Sequence, residues 1–151
     1  MRRWTYGLAA VWLSLLLVSQ VRTELPATWW FTAADPVVAD APPGVCPAVA
    51  WTRDIRRPFS GEWLAVLQLR TAAGDWAYLQ RYKGASDYRP DAGLPARLNL
   101  AWWFEIDASA CHWPPGEYRI VTVWTIHPNN GPARRFRVTS PPFHILEESR
   151  T

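Results

Sequence analysis

The chain has 151 residues and a formal charge of +3, and Arg2, Arg3 and Arg22 account for that whole excess. From Thr23 onward acidic and basic side chains cancel, so the basic balance is a topology signal and not the footprint of a nucleic-acid partner. About 125 residues follow the first segment, enough for one domain with a real hydrophobic core.

Arg2 and Arg3 precede a run from Trp4 to Val21 that carries no charge. Its length sits at the lower bound for a bilayer span, and Trp4 and Tyr6 are placed as interface anchors. A secretory signal is the other reading, since the basic start and apolar core fit it and Leu17-Val18-Ser19 is the best cleavage site. Both readings leave Arg2 and Arg3 in the cytoplasm and everything after Thr23 outside. Residues 1–22 are therefore expected to form a hydrophobic anchor or signal helix. The expected location is an inner membrane with the C-terminal domain in the periplasm, or the periplasm itself if the segment is cleaved.

Residues 23–44, rich in Ala, Pro and Asp, read as a linker. The Trp29-Trp30-Phe31 cluster within it could begin the first strand or lie at the membrane interface. The domain proper is expected over residues 45–148. Val45 to Ile55 is a candidate strand, followed by a polar loop with Pro58 and Gly61 as breakers. Glu62 to Arg70 alternates, with Trp63, Ala65, Leu67 and Leu69 on one face, and Trp76 to Tyr82 returns after a hairpin loop. Lys83 to Pro95 reads as irregular. Arg97 to Ile106 alternates again, with Leu98, Leu100, Trp102, Phe104 and Ile106 on one face and Trp103 and Glu105 on the other.

Cys46 and Cys111 are the only cysteines and both lie in the exported part, so they are expected to form a disulfide. Pro115 and Gly116 then suit the two corners of a type II turn. Behind it, Tyr118 to Ile126 is β-branched or aromatic at nearly every position and reads as a strand buried on both faces. Arg134 to Val138 alternates, Ser140-Pro141-Pro142 interrupts, and Phe143 to Leu146 resumes extended structure.

The Pro-Gly-x-Tyr turn before the penultimate strand, with a closing Pro-Phe-x-Ile strand, resembles many bacterial immunoglobulin-like domains. The resemblance implies that Tyr118 is the corner tyrosine, its hydroxyl bonded to nearby backbone. Ile120 stands where antibody-type domains carry a cysteine, so the resemblance is to the wider sandwich architecture. The layout is also similar to small accessory membrane proteins of phage and prophage gene sets. The fold class expected is all-β, an immunoglobulin-like antiparallel sandwich of about seven strands, preceded by one N-terminal hydrophobic helix.

No nucleophile elbow, zinc-protease helix motif or glycine-rich phosphate loop is present. His112, His127 and His144 are far apart in sequence, and Glu105 and Asp107 read as solvated carboxylates on one strand face. No catalytic, cofactor or metal site is expected. Nine of the eleven tryptophans lie in the exported part, more than a small sandwich core uses. Trp51, Trp103 and Trp113 are the candidates for an exposed binding surface. The reading is a non-enzymatic, membrane-anchored protein that binds another envelope or membrane protein. The alternative is a carbohydrate-binding module that stacks peptidoglycan on those three rings.

Overall fold

A computed structural model describes residues 11–14, 25–129 and 131–147. The hydrophobic segment expected over residues 4–21 lies outside the described residues except for helical residues 11–14. Among the described residues no helix is long and apolar enough to cross a membrane.

The rest is mostly strand, in antiparallel sheets. Strand β8 (Gly116–His127) is the organising element, as its run of β-branched and aromatic residues requires. On one edge it pairs with β5 (Phe59–Arg70), Trp124 opposite Trp63 and Thr122 opposite Ala65. β5 turns through residues 71–75 into β6 (Trp76–Tyr88). The other edge of β8 is shared by β9 (Arg134–Thr139) and β10 (Phe143–Ile145). Pro141 and Pro142, which cannot donate to a ladder, separate these two. Ser140 covers the break: its N–H donates to Ile120 O and its Oγ accepts from Ile120 N–H, both at 2.9 Å.

The opposing layer is built from short pieces. β1 (Phe31–Ala33) pairs with β4 (Arg53–Ile55), and β2 (Val37–Val38) pairs with β3 (Ala48–Ala50). These are two strand paths broken once each, and Trp51 spans the break by donating its Nε1–H to Ala34 O at 2.7 Å. β7 (Arg97–Asn99) lies on the far side of β3. Counting each interrupted path once leaves seven strand paths among the described residues. Phe31, from the layer of short strands, lies 4.8 Å from Trp124 of β8 and 5.8 Å from Phe59 of β5, ring centre to ring centre. The layers therefore share one core, an arrangement consistent with a β-sandwich.

Four expectations change. The stretch read as a linker joins the domain from residue 25: Phe31 is fully buried and pairs across to Ile55. β6 continues to Tyr88 through a segment read as irregular. Gly84 is what misled, because a glycine inside a strand reads as a breaker; here a Cβ would stand 2.6 Å from Trp63 Nε1, so the indole needs the space. The strand expected over residues 97–106 ends at Asn99, whose side chain accepts the Trp102 N–H at 2.8 Å and caps α1 (Leu100–Phe104). Gly116 has φ +159°, not the roughly +80° of a type II turn, and a Cβ there would meet Leu69 at 2.8 Å. Glycine at 116 is a matter of close packing.

Candidate functional site

Tyr118 does form a corner: fully buried, it donates its hydroxyl to Pro114 O. Cys46 and Cys111 are joined, closing a loop of sequence separation 65. Both sulfurs lie just ahead of strands, β3 and β8, and the bridge fixes the entry to each layer.

The three rings expected on a binding surface are in the core. Trp51, Trp103 and Trp113 are 2 %, 4 % and 5 % exposed. Trp51 packs against Trp103 with ring centres 4.4 Å apart and planes tilted by 49°, and reaches Trp124 at 6.1 Å. The physical reason is that the opposing layer is made of two- and three-residue strands, so large rings fill the volume that longer strands would fill with aliphatic residues. In α1 the helical turn also exchanges the faces read from alternation: Trp103 points inward and Trp102 is 54 % exposed. Glu105 and Asp107 do not share a strand face. Glu105 ends α1 in the left-handed region, φ +54°, and Asp107 caps a 3₁₀ turn by accepting from Ser109 N–H and Oγ–H. Those bonds hold the Asp107 carboxyl below the usual carboxylate range. His112, His127 and His144 are not brought together, and among the described residues no three potential ligands converge on a metal position.

Two surfaces stand out instead. The first is the outer face of the large sheet. Its middle rows run, strand by strand, Arg137–Val123–Leu64–Lys83 and Thr139–Val121–Val66–Arg81. Leu64, Val66, Val121 and Val123 thus make an apolar square with Arg137 and Thr139 along one side and Lys83 and Arg81 along the other; Arg135 lies one row further on, in the row of Thr125 and Glu62. The two cationic columns are three strand spacings apart, roughly 14 Å. Three acids share this face: Glu62 stands in the next row, between Thr125 and Ala85, with its carboxylate 3.9 Å from His127 Nε2, while at the ends Glu117 binds Arg70 at 2.9 Å and Asp87 accepts from Ser60 at 2.6 Å. Arg81, Lys83, Arg135 and Arg137 have no ion pair among the described residues. Part of the face is a groove of about 730 Å³.

The second surface is a cleft of about 700 Å³ between the free edge of β6 and α1. Trp63, Trp103 and Trp124 back it, exposed Trp102 stands at it, and Arg53 and Glu105 bring opposite charges to its lining. The Arg53 Nη2 donates to Pro95 O at 2.6 Å, its Cζ lies 4.6 Å from the Trp51 ring centre, and its buried Nε has no partner. Burial lowers the Arg53 pKa. Burial likewise pushes the neighbouring Tyr88 up to about 12, with Arg53 opposing and Glu105 adding to the rise. Sequence could have flagged Trp102 only by recognising Asn99 as a helix cap.

Comparison with protein-family models, curated proteins and solved structures gives no match.

Proposed function

We propose that the chain is a non-enzymatic, membrane-anchored, extracytoplasmic interaction protein whose immunoglobulin-like sandwich docks an acidic protein segment on the outer face of its large sheet. The observation that carries this reading is the apolar square flanked in its own rows by Arg81, Lys83 and Arg137, with Arg135 one row away, none of them in an ion pair among the described residues. Leu64 is exposed and Val66 and Val123 are half-buried, so this part of the face gains by being covered, and its mainly cationic flanks select what covers it. The partner that fits has an apolar ridge with Asp or Glu on both sides. A second copy of this chain would bring its own arginines against them, and like charges set face to face disfavour self-pairing.

The immunoglobulin-like assignment is supported by the strand order. The path β6–β5–β8–β9/β10 beside β2–β3–β7 follows that of such sandwiches, with Trp63 as the buried tryptophan of its strand and Tyr118 at the corner. The disulfide supports an oxidising compartment, in keeping with the export signal read in residues 1–22. A glycan platform on Trp51, Trp103 and Trp113 is not favoured, because those rings are buried.

A photo-crosslinking residue at Leu64 in intact cells tests the docking face, with Gly74 in the β5–β6 loop as the control position. The expected result is a discrete adduct from position 64 alone, lost when Lys83→Glu and Arg137→Glu are added together. Adducts that are the same from both positions, or that survive the charge reversal, would sink the proposal.

A further inference from the structure

The cleft between β6 and α1 is separate from the docking face and has the makings of a small-ligand site. Its volume, about 700 Å³, lies within the range of roughly 300–1,000 Å³ usual for such sites. Its lining combines aromatic walls with few polar groups, and the polar groups are of complementary kinds.

Consider first the cation. Arg53 is half-buried, and only its Nη2 has a hydrogen-bond partner. No carboxylate pairs with it among the described residues. A guanidinium withdrawn from water with donors to spare is costly unless an anion meets it, and the fork geometry suits a carboxylate. Consider next the wall. Trp102 is the one cleft indole that is more than half exposed, and it sits on the short helix α1, where Asn99 fixes the first turn. An exposed indole with no packing role offers a flat apolar plate of the kind that receives a sugar ring. Consider last the acceptors. Glu105 is exposed, forms no ion pair among the described residues, and is held in a left-handed conformation that a glutamate adopts at a cost. Its carboxylate and the Ser86 hydroxyl, both in the cleft lining, are acceptors for hydroxyl groups.

We propose that this cleft binds an acidic sugar: a pyranose whose ring lies on Trp102, whose hydroxyls face Glu105 and Ser86, and whose carboxylate meets Arg53. A neutral sugar would leave Arg53 unpaired. A flat aromatic acid would leave Glu105 facing a carboxylate-bearing ligand with no hydroxyl to accept from. The pyranose carboxylate satisfies all three groups at once. Its source can be a cell-wall sugar, with the acid on a lactyl arm, or a uronic acid of a polysaccharide, with the acid on the ring.

The test uses the full chain in detergent and follows the tryptophan indole N–H signals by NMR during titration with four probes. N-acetylmuramic acid and N-acetylglucosamine differ by the 3-O-lactyl group that carries the carboxylate; glucuronate and glucose form the second pair. The expected result is that at least one acid binds about tenfold or more tightly than its neutral counterpart, with the Trp102 signal among those that move. Preference within the first pair identifies a cell-wall sugar, and within the second a uronic acid. Arg53→Met should erase the preference while leaving neutral-sugar binding in place. Trp102→Ala, at an exposed position that leaves the core intact, should weaken acid and neutral sugar alike. Equal affinity for acid and neutral sugars, no movement of any indole signal, or binding unchanged in Trp102→Ala would each overturn the proposal. None of these outcomes bears on the crosslinking result at Leu64, so the two ideas fail separately.

Discussion

Replacing Thr122 by Val should make the protein more stable. Thr122 sits in the middle of β8, fully buried, with Ala65 and Val138 beside it on the neighbouring strands. Along its own strand the residues on the same inward face are Ile120 and Trp124, both buried. Its Oγ1 is buried and has no hydrogen-bond partner. A hydroxyl withdrawn from water without a partner costs about 1–3 kcal/mol, and valine has nearly the same shape with a methyl in its place. β-branching is kept, so the strand loses nothing in χ1 preference. The expected gain is about 1–2 kcal/mol, or a rise in Tm of roughly 3–8 °C for a domain of this size. Urea and thermal unfolding under oxidising conditions measure it. Thr122→Ser is the companion variant: it keeps the hydroxyl, removes a methyl and should cost about 1 kcal/mol. Thr125→Val, on the outward face of the same strand, should change stability by less than about 0.5 kcal/mol. An unchanged or lower Tm for Thr122→Val would refute the reasoning, because it would mean that the hydroxyl is satisfied and that the interface between the layers is not dry at its centre.

Two further outcomes follow from the same core. Reducing the Cys46–Cys111 bridge, or replacing both cysteines by Ala, should lower stability by about 4 kcal/mol, the loop-closure value for a separation of 65; denaturant melts with and without reductant read it, and a loss under 1 kcal/mol would show that the bridge restrains little. Tyr88, with its pKa raised to about 12, should make the fold sensitive to base. A group whose pKa is higher folded than unfolded contributes stability that is full below the unfolded value near 10 and is lost as pH rises through the folded value. Stability should therefore fall between about pH 10 and 12, and Tyr88→Phe should flatten that fall in equilibrium melts across the range.

The parts of the fold legible in the sequence are those where a local signal and the global packing agree. β8 is one: continuous β-branching admits little else, and Tyr118 marks its start. β5 is another, since alternation puts Trp63, Ala65 and Leu67 on one side and that side is the buried one. The segment from Arg97 to Ile106 failed because residues 100–104 are nearly all apolar, so period 2 and period 3.6 fit them equally. The polar side chain of Asn99, one residue earlier, decides between them. The tryptophans failed for a different reason. Burial is a property of what lies opposite, and the layer of short strands that needs Trp51 and Trp103 as filling cannot be seen from either residue. Neither surface proposed here carries a motif. Arg53 and Glu105 are 52 positions apart in the chain, on a strand of the opposing layer and at the end of α1, and both line the cleft.

The cations on the outer sheet face also have a plainer use, and the two uses can be separated by sign. β6 is an edge strand, and β9 is the opposite edge; unpaired edges invite other strands, and charged side chains there deter them. Arg81, Lys83, Arg135 and Arg137 would serve that purpose. Deterrence, however, needs only charge, and acids would do as well as bases in a domain where the two cancel overall. The three charges in the rows of Leu64 and Val121, from Arg81, Lys83 and Arg137, are all positive; Glu62 stands one row away with Arg135, and the acids at the ends are held by Arg70 and Ser60. Edge protection explains why those positions are charged. It does not explain why Arg81, Lys83 and Arg137 share one sign in the two rows of the apolar centre, and the proposed acidic partner would.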